Sequence, residues 1–307
     1  TPSPLSEVYY YYIRREEKTQ CFCRKTAEAL ASFKKIWYHN LKLTVSGGAA
    51  MKKKVAVRIL IWVLFAVFLA VFIYSGYRIL SYYGEKNKAG NVYNDLLDNY
   101  SMPTKKPKPT KDTADDPTEP TEPPYEQVVD SAALAAQYPD YQVWLYSENT
   151  KINYPVMQAS NNDAYLYHLM DGTYNNNGSL FIDYRCAKGF GDDNTIIYGH
   201  NMHSGYMFGQ LQNYKDPDYY TEHPYFYFET EYGVYRFDIF AAYTTPHDSE
   251  AYTISFASRE AFLNYINYAK SQSPFTADVQ VGENDRIVTL STCAYEYTNA
   301  RYVLVCR

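Results

Sequence analysis

The spacing of apolar and polar residues divides the chain into unequal stretches. From Ile59 to Tyr77 no charged residue interrupts a run rich in Leu, Ile, Val and Phe. About 19 such residues are roughly what a helix needs to cross a bilayer core. Apolar side chains on every side of that helix argue against a soluble core helix with one wet face. Lys52, Lys53, Lys54 and Arg58 precede the run, which by the positive-inside rule places the N-terminus in the cytoplasm and everything beyond Arg78 outside. A cleaved signal peptide is the competing reading; the length of the run and the lack of a small-x-small site after it favour an uncleaved anchor. Glu85–Tyr100 then reads as a short helix. Ser101–Pro124, SMPTKKPKPTKDTADDPTEPTEPP, is dominated by proline, threonine and charge. It cannot bury a core and is expected to be an extended, partly polyproline spacer with reach across a cell envelope.

Beyond the spacer the pattern changes to short apolar runs between turn signals. VVDSAALAAQYPD (Val128–Asp140) reads as a helix. YQVWLYS, SLFID, NTIIYG, YFYFET, GVYRFDIFAAYTT, RIVTLST and RYVLVCR read as strands, with NNNG, GDDN, KDPD and GEND among the turns. Many short strands with such punctuation predict an all-β barrel or sandwich. One helix interrupts them, SREAFLNYINYAKSQ (Ser258–Gln272), with Ser258 as its cap and Phe262, Ile266 and Ala269 on its apolar face.

Composition narrows the picture. Tyr125–Arg307 carries 22 acidic against 10 basic residues, whereas the first 124 residues carry 12 acidic against 19 basic. So acidic a C-terminal domain argues against a nucleic-acid partner and suits one bearing an amine. The five cysteines form no disulfide framework, and their odd number leaves at least one thiol free. Cys21 and Cys23 are too few ligands for a metal site on their own. MKKKVAV looks like a bacterial start, so residues 1–50 are expected to be a non-native or mis-assigned upstream segment, with Met51 the native first residue. Peptides from that segment in a mass spectrum of the purified protein would refute this.

One cysteine stands at a telling place. Cys293 follows RIVTLST, at a strand end, and Arg301 opens the next run after the short loop AYEYTNA. An antiparallel pairing would bring the two together. There an arginine lowers a thiol's pKa and donates to an oxyanion without losing its charge. A buried structural thiol beside a surface arginine fits the same residues. His200 alters the balance: it follows the apolar strand Thr195–Tyr198 and Gly199, where a rigid scaffold displays side chains into a loop-lined site. His203 is its local competitor.

Together these residues resemble the sortase family, and class B most closely, over essentially all of Tyr125–Arg307. INYPVMQASNNDAYLYHLMDGTYNNNGSLFIDYR is similar to the class B segment around the first strands, IIYGHNMHSGYMFGQL to the histidine motif, and TLSTC to the T-L-x-T-C motif, with Arg301 as the downstream arginine. Helix Ser258–Gln272 ahead of the cysteine strand is a further class B feature. The order His, Cys, Arg differs from that of papain-like peptidases, and the S-H-G-C sequence of L,D-transpeptidases is absent.

The resemblance implies a mostly β fold: a closed eight-stranded sortase-type barrel with a few short helices, preceded by a single transmembrane helix. The expected organisation is a basic start and anchor at 51–82, a helix and spacer at 83–124, and a catalytic domain at 125–307. It implies an enzyme that cuts a C-terminal sorting signal after threonine and transfers the new end to an amine. The acceptor would be peptidoglycan or, alternatively, a pilin lysine; a non-catalytic module that binds sorting signals is the rival of another class. Cys293 would form the thioacyl intermediate, His200 would move the protons, and Arg301 would steady substrate and oxyanion. Ser291 and Thr292 would contact substrate or orient the loop, Glu296 would order the loop or pair with Arg301, and Asn162 and Leu166 would line the substrate groove. No metal or cofactor is expected; Cys306 reads as a core thiol, with a Cys186–Cys306 disulfide outside the cell as the alternative.

Overall fold

The computed structural model describes residues 49–101 and 129–307. Almost all of the expected upstream segment, and the spacer after Ser101, lie outside them. Helix α1, Ala49–Tyr100, is continuous rather than an anchor followed by a separate helix. No proline interrupts it, and Gly84 and Gly90 weaken a helix by only about 1 kcal/mol each relative to alanine. The chain forms two compact units, up to Tyr82 and from Tyr83 on. In the first, the apolar run is exposed all round, with Trp62 at 70% and Phe72 at 67%. It is the one described helix long and apolar enough to cross a membrane.

The second unit is a closed barrel. Its strands are β1 (Tyr141–Tyr146), β2 (Asn153–Met157), β3 (Leu180–Ile182), β4 (Asn194–Tyr198), β5 (Tyr225–Thr230), β6 (Gly233–Pro246), β7 (Ile287–Cys293) and β8 (Ala300–Cys306). They close in the order β1-β2-β3-β4-β7-β8-β6-β5. Trp144, Leu145, Phe226, Phe240, Leu290 and Leu304 are among the buried side chains of its core. Strand β2 is the one absent from the runs picked out as strands, because Pro155 breaks the pattern. The structure accommodates it: β3 pairs with β2 only from Val156 on, so Pro155 lies where one side of the strand carries no ladder.

Two pairings are parallel, β2 with β3 and β4 with β7. Parallel neighbours need long crossovers, and these supply the loops around one end of the barrel. The β2–β3 connection is wound without regular structure and is held by close backbone contact. Gly178, at φ +58°, lies where an added Cβ would stand 2.5 Å from the Leu166 carbonyl oxygen. After β4 come a 3₁₀ stretch, Gly209–Lys215, and helix α3, Pro217–Glu222. The expected helix near Val128–Asp140 is shorter, α2 (Ser131–Gln137), capped by Asp130. Pro139 disfavours helical backbone at Tyr138 and ends it. Helix α4 spans Arg259–Gln272 with the Ser258 hydroxyl accepting from the Ala261 amide, and Phe262, Ile266 and Ala269 are buried as expected.

The last turns of α1 are part of this unit. Ala89, Tyr93 and Leu96 are buried. The Tyr93 hydroxyl donates to the Gly178 carbonyl (3.2 Å), and Asn175 Nδ2 to the Glu85 carbonyl (2.8 Å). Ser101 and Val129 form an antiparallel bridge, and the Asp130 amide donates to the Tyr100 carbonyl at 2.7 Å. The residues on either side of the expected spacer are therefore neighbours.

Candidate active site

Cys293 is the last residue of β7, half-buried and free. Its cross-strand partner on β8 is Arg301. The next pair carries the ladder bond, Ala294 N–H to Ala300 O at 3.0 Å. Cys293 and Arg301 thus form the closer, non-hydrogen-bonded kind of antiparallel pair, with Cα atoms about 4.5 Å apart and side chains on one face. The Arg301 guanidinium donates to the Ala300 carbonyl through Nη1 at 3.1 Å.

His200 arrives from the other side. Strands β4 and β7 are parallel, with Tyr198 opposite Ser291, and the Gly199 amide donates to the Ser291 carbonyl at 3.1 Å. Extending that register by two residues sets His200 beside Cys293. Gly199 is closely packed: an added Cβ would lie 2.4 Å from Leu180 Cδ2 and 2.7 Å from Phe208 Cδ2, so a larger residue forces those side chains to move. His200 Nε2 lies 2.7 Å from the Leu166 carbonyl oxygen. A carbonyl only accepts, so Nε2 carries the proton and Nδ1 of the neutral ring is left as the acceptor. Burial pushes the imidazole below its ordinary value, and the Leu166 bond, which favours the charged form, does not offset it.

The supporting residues are mostly engaged within the protein. Ser291 and Thr292 are buried. The Ser291 hydroxyl meets the Tyr252 phenol at 2.8 Å, and that of Thr292 donates to the Gly199 carbonyl at 2.8 Å. Thr292 thereby staples the Cys293 strand to the residue before His200. Glu296, exposed in the β7–β8 loop, pairs with Lys215 rather than Arg301. The Lys215 ammonium holds its carboxyl below the usual carboxylate range. Asn162 accepts from the Tyr184 amide at 3.0 Å, and Leu166 reaches the site through its backbone oxygen. His203 is exposed. Cys186 and Cys306 are buried free thiols. Among the described residues no cluster of His, Cys, Asp and Glu could hold a metal ion.

Four further residues contact this group. Tyr252 stacks on Tyr198 (6.2 Å between centroids, 11° between planes) and lies within electrostatic reach of both Cys293 and Arg301. Nothing in the sequence marks it out from 35 other tyrosines, given 36 in all. Asn201, Gln212 and Lys215 gather behind Cys293. Only Asn201 had a signal, its place directly after His200. A cavity of about 630 Å³ lined by Phe190, Phe228, Phe237 and Arg286 also includes Ile287 and Val288, at the start of β7. It lies about 20 Å along the strand from Cys293 and belongs to the opposite end of the barrel.

A sortase domain model matches residues 145–307. Over 163 residues the chain is 42% identical to Sortase B of Listeria monocytogenes, covering 52% of this chain and 66% of that protein. Over 166 residues it is 33% identical to Sortase B of Staphylococcus aureus, covering 53% of this chain and 68% of that one. The match thus spans about two thirds of the length of these curated relatives. Among solved structures, a Staphylococcus aureus sortase B–substrate complex superposes with a TM-score of 0.54 at 31% identity, covering 57% of this chain and 82% of that one.

Proposed function

Since this chain belongs to the sortase family and is most similar to its class B members, we propose that it is a membrane-anchored cysteine transpeptidase acting on C-terminal sorting signals. The observation that carries the reading is the Cys293–Arg301 cross-strand pair with His200 at the end of the adjoining parallel strand. Cys293 gives its proton to the free Nδ1 of His200, and the resulting thiolate attacks the carbonyl carbon after the signal's threonine. As the C–N bond breaks, His200 delivers a proton to the departing amine, leaving a thioester on sulfur. An incoming amine attacks that thioester and yields its proton to His200, and the C–S bond breaks to restore the thiolate. Arg301 donates to the oxyanion formed in each half.

The remaining assignments are proposals of the same kind. Asn162 presents its amide N–H groups to the substrate, since its oxygen is taken by Tyr184. Leu166 orients His200 and walls the groove. Ser291 and Thr292 orient the strand end that carries the nucleophile, and Glu296 orders the loop after it. The acceptor is a peptidoglycan amine, and the catalytic domain faces the outside of the cell. The likeness to a structure described as a Staphylococcus aureus sortase B–substrate complex supports a substrate of the kind that class B sortases take.

The test is cleavage of a panel of fluorogenic sorting peptides by the membrane-extracted chain, with Cys293→Ala as control and mass spectrometry of the acyl-enzyme. Turnover by wild type alone, with an adduct on Cys293, is expected. Equal inertness of both proteins across the panel would refute it.

A further inference from the structure

The backbone carbonyl of Cys293 receives two side-chain donors. Asn201 Nδ2 donates at 2.7 Å and Gln212 Nε2 at 3.2 Å. The other end of the Gln212 amide, Oε1, accepts from the Lys215 ammonium, and the same ammonium pairs with Glu296. These contacts fix which way the Gln212 amide faces. An ammonium only donates, so the amide oxygen faces Lys215; a carbonyl only accepts, so the NH₂ group faces Cys293. Lys215 also lies 5.2 Å over the ring of Tyr302, next to Arg301 on β8.

The carbonyl so held belongs to the peptide that leads into Ala294, whose N–H is bonded to Ala300. The unit carrying the nucleophile is therefore gripped at both ends. If it turned, the negative end of the carbonyl dipole could face the thiol and disfavour the thiolate. With two donors on its oxygen, it is held away and partly neutralised.

We propose that Lys215, acting through Gln212 and alongside Asn201, is a positioning residue for the nucleophile. It orients the amide that holds the Cys293 carbonyl away from the thiol, and Glu296 is the counter-ion that keeps Lys215 in place. This rests on Cys293 being the nucleophile.

The test uses the full chain and three measurements. These are the pH dependence of iodoacetamide alkylation, read on the Cys293 peptide by mass spectrometry; kcat and KM on a fluorogenic sorting peptide; and the thermal unfolding midpoint. Gln212→Glu keeps the shape but replaces the donor with an acceptor. It is expected to raise the alkylation midpoint by about half a pH unit or more, because a like charge disfavours the thiolate. kcat should fall roughly 10-fold with KM within about twofold, the signature of an interaction made in the transition state. Lys215→Met should act in the same direction and Lys215→Arg should restore most of the loss. Adding Glu296→Gln to Lys215→Met should bring no further loss, since residues acting as one unit are not additive. Alkylation profiles of Gln212→Glu and Lys215→Met that superpose on wild type would overturn the proposal, whether or not the unfolding midpoint had moved. If wild type cleaved no sorting peptide, the functional reading would fall, while the alkylation profiles would still decide this one.

Discussion

Thr292→Val tests how the two halves of the site are joined. Valine keeps the branched shape of threonine and replaces its hydroxyl with a methyl group. What is lost is the 2.8 Å bond from the Thr292 hydroxyl to the Gly199 carbonyl, made by a side chain only 2% exposed. A neutral bond of this kind contributes about 1 kcal/mol net, and the orphaned carbonyl brings the total to about 1–2 kcal/mol. For a domain the size of Tyr83–Arg307 each kcal/mol lowers the unfolding midpoint by about 2–4 °C, so a fall of roughly 2–8 °C is expected. Gly199 directly precedes His200, so the same change loosens the histidine relative to the thiol. Small misplacements of reacting groups lower rates by up to about 100-fold, and a roughly 10-fold fall in kcat with little change in KM is expected here. Thr292→Ser retains the donor and should recover both. Calorimetry and steady-state cleavage of a sorting peptide read the two effects. A rise in KM with kcat and midpoint untouched would show the hydroxyl contacting substrate instead, and the staple would be refuted.

Three further outcomes follow from the geometry. Arg301→Lys should lose most activity, because a compact ammonium cannot reproduce the planar fork of donors beside Cys293; near-full rates would remove Arg301 from the oxyanion. Gly199→Ala should destabilise the domain by about 1–3 kcal/mol, the usual range for overpacking, since the new methyl meets Leu180 and Phe208; an unchanged unfolding midpoint would contradict this. His200 titrates below its ordinary 6.5 in the folded protein, so below that pH the unfolded chain binds a proton that the folded one resists. Its contribution is complete above about pH 6.5 and is lost as pH falls toward the folded value. Between pH 7 and 5.5 wild type should therefore lose stability more steeply than His200→Gln, and parallel curves would refute the buried neutral ring.

The fold was legible wherever local pattern decides structure. Alternation and turn residues marked seven of the strands, and Ser258 with its apolar face marked α4. Long-range contact decided the rest. Pro155 hid β2, because only its position beside an unladdered edge makes a proline harmless there. The helix expected at Glu85–Tyr100 is present as the last part of α1: two glycines are weak breakers, and burial of Ala89, Tyr93 and Leu96 holds the helix to its end. The expected spacer after Ser101 lies outside the described residues. That Ser101 lies beside Val129 is a tertiary fact that no composition carries.

The site follows the same division, and strand topology explains it. Cys293 and Arg301 lie across a short loop, so a hairpin joins them and the sequence can suggest the pair. His200 is far from both along the chain, and the parallel register of β4 and β7 carries it toward the same end of the barrel. Parallel strands bring like ends together, so the residues at the C-terminal ends of β4 and β7 converge. An antiparallel neighbour brings opposite ends together, so the beginning of β8 joins them. One end of the barrel thereby collects a histidine, a thiol and an arginine. Residues that hold these groups from outside the strands, such as Tyr252 against Ser291 and Lys215 through Gln212, carry no period and no motif. Their positions depend on the barrel having closed, which is why they became visible only in three dimensions.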